Sequence, residues 1–350
     1  MKVVHIESGL GNQMLSYCEY LAIKKANPGD DCYIETIVYD IPECNDIICQ
    51  WNGYELDRIF CINAPNVKSL FDERQWNEIV DEVRESEFWN KNWNWPVYIA
   101  DALNNHGLKV ENIRGNHETK EHHFSNPSKI HLLKRRIIES SLGTLIRRYH
   151  HMLTEKKFVA SVDNRNMLFY KTDKSVLTGQ RLTFKLRGND IELLKDEIKD
   201  AFQFPAFKDE KNVRFSEFLS THNSVFIHAR RGDMLSANGW CYKTGYFRRA
   251  VKLIKKKVKD PVFVFFTNTG SIEWCKENAR IFGLDYKKDR VYFVDWNLAD
   301  ESYRDMQLMS YCKHGIITNS SFGWWGAYFI DNPEKITISP LIEINTTHHC

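Results

Sequence analysis

The stretch His228-Ala229-Arg230-Arg231-Gly232-Asp233 sets two guanidinium groups side by side, directly after the apolar run 224–228 (SVFIH). Arginine offers planar, permanently charged, bidentate donors, so an adjacent pair at a strand end suits a doubly charged phosphate. Asp233 can brace one guanidinium or take up a proton. A surface ion pair is the plain alternative, and an Arg-Gly-Asp adhesion signal the remote one. A second candidate is Asn319-Ser320-Ser321-Phe322-Gly323-Trp324-Trp325-Gly326. Small hydroxyl residues at a strand-to-helix turn leave backbone N–H groups at a helix N-terminus, a ready anion site. Ser320 and Ser321 can add hydroxyl donors, or can simply cap the helix. The third candidate, Ser8-Gly9-Leu10-Gly11-Asn12-Gln13, follows residues 2–7 (KVVHIE). Met14 stands where GxGxxG needs its last glycine, and the Lys-Ser/Thr of a P-loop is missing. What remains is close backbone approach and free amide donors.

Absences narrow the chemistry further. No Asp-x-Asp occurs, so the carboxylate clamp that holds a divalent metal on a nucleotide-sugar is missing. The pairs His122-His123, His150-His151 and His348-His349 are immediate neighbours that do not share a helix face, and read as solvent-facing rather than as ligands. No metal site is expected. Nine cysteines form no CxxC pair; they read as reduced, buried thiols, with a disulfide among Cys44, Cys49 and Cys61 as the lesser alternative. The 48 basic and 46 acidic residues give a net charge of +2, which argues against a dedicated nucleic-acid binder. The basic segment 135–148 reads first as a solvated face and second as a contact for an anionic membrane surface. Neither a signal peptide nor an apolar run of membrane-spanning length is visible, so the expected place is the cytoplasm, with peripheral work at the inner membrane face.

The elements that must position these residues alternate regularly at both ends of the chain. At 350 residues, two domains are expected, with a boundary near residue 215. Strand 2–7, helix 12–26 and strand 32–36 open a β-α-β unit. Strands at 224–228, 261–267, 291–295, 315–318 and 335–339 alternate with helices at 245–257, 271–282, 301–312 and 324–330, a Rossmann-like pattern. The middle, 63–205, is less legible; it holds charged helical stretches, among them 130–157. In such sheets ligands bind outside the carboxyl ends of the strands, where all three candidate stretches fall.

Taken together, HARRGD, NSSFGWWGAYFIDNPEKITISP and SGLGNQM resemble the α-1,2-fucosyltransferase family, glycosyltransferase family 11. Trp274 to Asn278 (WCKEN) and Cys312 to Ser321 look like its bacterial branch. The likeness covers roughly residues 1–26 and 222–340. It implies an α/β, GT-B-like fold of two Rossmann-like domains facing a central cleft: an acceptor-side domain 1–215 with a helical insertion, and a donor domain 216–350. It implies inverting, metal-independent transfer of L-fucose from GDP-β-L-fucose, with no cofactor, to the 2-hydroxyl of a terminal β-galactoside on an oligosaccharide or glycolipid. Arg230 and Arg231 would then hold the pyrophosphate, with His228 and Asp233 completing the catalytic motif and Asp233 as the named base. Asn319, Ser320, Ser321 and Phe322 would close on the β-phosphate. Gly9, Gly11, Asn12 and Gln13 would line the cleft from the other domain as further donor-binding residues, and Asn268 and Asp305 would contact the nucleotide. Two departures stand out: Ser8 replaces the first glycine of the opening motif, and Asn268-Thr269 stands where bacterial relatives often carry an acidic pair. Three alternatives remain: a fucosyltransferase of another linkage such as α-1,6, a nicotinamide dehydrogenase, and a non-catalytic sugar-binding protein.

Overall fold

The apolar runs at both ends of the chain do become strands. The computed structural model describes residues 1–90, 95–113, 168–179 and 191–340, with 130, 137, 142, 143 and 146 as isolated positions. The helical stretch expected over 130–157 lies largely outside these. The chain separates into two compact units, with the division between Gln203 and Phe204.

In the N-terminal unit, β1 (Lys2–His5), β2 (Cys32–Glu35), β3 (Glu111–Asn112) and β4 (Val176–Gly179) form a sheet in the order β2-β1-β4-β3. Every pairing is parallel. The helix Leu10–Ala26 makes the first crossover and buries Met14, Cys18, Ala22 and Ile23. One face of the sheet packs Val3 and Leu177 with Ile79, Phe88 and Leu103. The other packs Val4, Ile6 and Ile34 with Tyr20 and Ile23. Burial on both faces is why these strands read as apolar runs without alternation.

The second unit holds β5 (Ser224–His228), β6 (Val262–Phe266), β7 (Arg290–Phe293), β8 (His314–Ile317) and β9 (Thr337–Ile338), again all parallel, in the order β7-β6-β5-β8-β9. The order reverses direction between β5 and β8, and that reversal is where open α/β sheets bind ligands. Phe265 packs edge-on against Phe282 at 4.7 Å, and Phe247 lies 4.9 Å from Phe282. All three are fully buried, and each contributes roughly 1.5–3 kcal/mol.

Several boundaries differ from expectation. The unit begins upstream of residue 215 because Phe204 stacks on Tyr303 and meets Phe329 edge-on, while Arg304 donates to the Pro205 carbonyl. The helix expected over 271–282 is two, Ile272–Glu277 and Ala279–Phe282. Asn278 interrupts it, its side-chain amide donating back to the Trp274 carbonyl. The helix expected over 324–330 runs from Ser321 to Tyr328, starting directly on Ser320. Cys18, Cys32, Cys44, Cys61, Cys241, Cys275 and Cys312 are free thiols, and burial pushes those of Cys44, Cys275 and Cys312 up to about 12. No described helix is long and apolar enough to cross a membrane.

Candidate active site

His228 closes β5 and pairs in register with Ile317 at the end of β8, so the chain leaves both strands side by side. The Arg-Arg loop follows one and the Asn-Ser-Ser loop the other. Three contacts hold the first loop by its backbone. Thr267 Oγ1 donates to the Ala229 carbonyl, Tyr242 OH donates to the Arg230 carbonyl, and Arg231 N–H donates to Asn268 Oδ1. Gly232 sits at φ +54°, and a Cβ there would come within 2.7 Å of Asn268 Nδ2. Only glycine fits both demands. Asn268 is thus a strut of the loop, whatever else it touches.

The two guanidinium groups are held differently. Arg230 Nη2 lies 3.1 Å from Asp233 Oδ1 and 3.2 Å from Oδ2, a half-buried ion pair. Arg231 has its guanidinium carbon 3.3 Å from the centre of the Trp274 ring and 5.0 Å from that of Tyr242. An arginine over an aromatic face gains cation–π attraction while its N–H edge stays open for an oxyanion.

His228 itself points inward. Its ring is buried, its Nδ1 has no hydrogen-bond partner, and Phe322 lies 5.8 Å away. A Cβ on Gly323 would overlap Nδ1. Burial, with the Arg230 charge adding, lowers its pKa to about 3. The imidazole is therefore neutral throughout the physiological range and forms a wall rather than an exposed acid or base.

The second loop leads into the helix Ser321–Tyr328, whose N-cap Ser320 makes no side-chain capping bond. At the other end, Lys335 Nζ caps the carbonyls of Ala327, Tyr328 and Ile330 at 2.9–3.2 Å. A cation there complements the helix dipole whose positive end lies at Ser320 and Ser321. Asn319, Ser320, Ser321 and Phe322 are all half-buried along this turn.

Asp305 lies in the helix Tyr303–Ser310, half-buried, with Asn297 Nδ2 donating to it at 2.8 Å. Burial raises its pKa to about 7, with the Asp295 charge adding and the Asn297 bond opposing. In the N-terminal unit, the loop after β1 is equally well held. Gln13 Oε1 accepts from Glu55 N–H, and its amide donates to the Ser8 and Gly53 carbonyls, each at 2.8 Å. These contacts tie the first turn of the helix Leu10–Ala26 to Ser8 and to the segment Gly53–Glu55. Gly9 packs so closely on Trp51 that a Cβ would come within 2.9 Å of its ring.

His228, Arg230, Arg231, Asp233, Asn268 and Asn319 to Phe322 thus gather at the strand-order reversal of one sheet, while Gly9 to Gln13 stand at the corresponding end of the other. Trp274 and Tyr242, which hold Arg231, carried no assigned role in the sequence. The aromatic in WCKEN was their one visible signal. Among the described residues, no cluster of three or more His, Cys, Asp or Glu is arranged to hold a metal ion.

Residues 187–345 match the model for Glycosyl transferase family 11. It is 36% identical over 153 residues to an alpha-1,2-colitosyltransferase of Escherichia coli, covering 42% of this chain and 49% of that protein. It is 33% identical over 109 residues to galactoside alpha-(1,2)-fucosyltransferase 1 of Plecturocebus brunneus, covering 30% of this chain and 28% of that protein. The chain thus spans half or less of the length of these relatives. Among solved structures, the fucosyltransferase NodZ from Bradyrhizobium gives a TM-score of 0.41 at 12% identity, covering 93% of this chain and 91% of that one.

Proposed function

We propose that this protein transfers L-fucose from GDP-β-L-fucose to the 2-hydroxyl of a terminal β-galactoside, with inversion. The observation that carries this reading is the pair of loops leaving β5 and β8 side by side. One presents Arg230 and Arg231, the other a helix N-terminus without a side-chain cap. Together they supply fixed positive charge for a pyrophosphate. A fucosyl group leaves through an oxocarbenium-like state in which charge grows on the departing GDP. Donors already aimed at that charge stabilise the transition state more than the ground state. The arginines and the helix N-terminus do here what a metal would otherwise do, so turnover is expected to survive chelation.

Within this reading, Arg230 and Arg231 grip the pyrophosphate, with Ser320, Ser321, Phe322 and Asn319 closing on the β-phosphate. Asp233, paired with Arg230, orients that guanidinium; this favours a bracing role over that of base. His228 supports both loops from beneath. Asp305 faces the nucleotide, where an ionised carboxylate matches paired N–H donors of a guanine edge. The N-terminal unit carries the acceptor.

The relative named as a colitosyltransferase favours one second reading, in which the donor sugar is colitose rather than fucose. Both donors should be offered with a panel of galactosides and the product linkage read by NMR. A new 1,2-linkage to galactose supports the assignment. A 1,6-linkage, or colitose as the sole sugar transferred, replaces it.

A further inference from the structure

Strand β1 is apolar through its centre, yet its carboxyl end carries charge that the transfer reaction has not yet used. His5, Glu7 and Glu35 are all completely buried. His5 Nδ1 meets Glu35 Oε2 on the neighbouring strand, and His5 Nε2 lies 3.1 Å from Glu7 Oε2. A carboxylate can only accept, so an imidazole bonded to one through each nitrogen carries two protons. Burial alone would lower the His5 pKa, but the charges of Glu35 and Glu7 outweigh it and push it up to about 9.

The network continues into the loop. Glu35 Oε1 also accepts from Ile37 N–H, tying in the turn Ile37–Tyr39. Tyr39 OH donates to the Ser8 carbonyl at 2.8 Å, and Gln13 donates to that same carbonyl. Burial and the charges of Glu7, Glu55 and Glu35 hold the Tyr39 phenol well above its usual range, which keeps it a donor. Ser8 itself sits at φ +67°, the left-handed region. A residue with a Cβ enters that region at a cost of roughly 1–2 kcal/mol unless its surroundings hold it there. On the opposite side, Gly179 of β4 lies so close that a Cβ would come within 2.8 Å of His5 Cβ.

We propose that His5, clamped between Glu35 and Glu7, is a positioning residue for the transfer reaction: the charged brace fixes Glu7 and Ser8, and through them Gly9 and the first turn of the helix Leu10–Ala26. A buried ion network is weak evidence for stability, since well-packed apolar groups commonly do as well. Its advantage is a single geometry. The location agrees, because this cluster stands at the ligand-binding end of the strand, at the root of Ser8 and Gly9, whereas the charge at the other end, Lys2, is paired with Asp30. The proposal rests on the glycosyl-transfer reading for its kinetic consequence, but not for its structural one.

Glu7→Gln, His5→Gln and Glu35→Gln, each alone and combined with Ser8→Gly, test it. Glycine adopts φ +67° without help, so it should restore the loop where the brace is lost. For Glu7→Gln, the galactoside KM should rise about tenfold or more while GDP affinity stays within about twofold. Amide hydrogen exchange at residues 9–13 should quicken in the same variant, and Ser8→Gly should reverse both effects. Unchanged exchange and KM in Glu7→Gln, or equal losses with and without Ser8→Gly, would overturn the brace. Should the glutamine variants not fold, Glu7→Asp keeps the charge with a shorter reach; faster exchange confined to the loop supports the brace, and unaltered exchange contradicts it. A wild-type protein that transfers to no sugar would sink the functional reading alone, because hydrogen exchange still reads the brace.

Discussion

The guanidinium carbon of Arg231 lies 3.3 Å above the ring of Trp274, so one of the two charges expected to grip the donor is held by an indole rather than by a carboxylate. Asp233 serves Arg230 instead. The pair thus retains more positive charge than two ordinary ion pairs would leave, and that excess faces the strand-order reversal where a pyrophosphate would bind.

Trp274→Ala should therefore weaken GDP binding about tenfold, in keeping with a cation–π contact of roughly 0.5–2 kcal/mol and the loss of side-chain order. Trp274→Phe should retain most of the affinity. Isothermal calorimetry with GDP measures both. Equal losses in the two variants would show that the indole fills space and does not hold the arginine.

Asp305 should impose a pH dependence on nucleotide binding. Its pKa of about 7 means that the carboxylate is largely protonated at pH 6 and ionised at pH 8. If the ionised form accepts from the base, GDP affinity rises with pH through that value, by about tenfold between those limits. Asp305→Asn should bind more weakly and lose the dependence. Titration by fluorescence at several pH values decides it.

His228 should make the fold sensitive to acid. Its folded pKa of about 3 lies below the ordinary 6.5. Its contribution to stability is therefore complete above about pH 6.5 and is lost progressively as pH falls towards 3. Thermal melts across that range should show a shallower acid slope for His228→Leu than for the wild type. Gly323→Ala should lower stability at every pH, by roughly 1–3 kcal/mol, because its methyl group overlaps the imidazole.

The same glycine shows where the sequence could be read and where it could not. Runs such as SVFIH and VFVFF announce themselves because parallel strands are buried on both faces. The motifs after them fall at strand ends for the same reason, so the two loops that leave β5 and β8 side by side were legible. Gly323, by contrast, lies inside the helix Ser321–Tyr328, one position before the start expected at Trp324. In the fold its missing side chain is what lets His228 lie beneath the first turn. Trp274 over Arg231 and His5 against Glu35 are contacts between distant segments. No local periodicity encodes them: KVVHIE simply reads as a strand. Gln13 was legible as part of a loop motif, but its bonds to Glu55 and Gly53 were not.

Acceptor-dependent release of GDP from GDP-fucose tests the central claim most directly, measured with and without a galactoside panel in the presence of chelator. The wild-type protein should release GDP only when a suitable galactoside is present. Arg230→Ala should fall by about a hundredfold or more, as expected for removing a donor aimed at the departing charge. Absence of acceptor-dependent release with every galactoside, or an Arg230→Ala variant that turns over like the wild type, would contradict it.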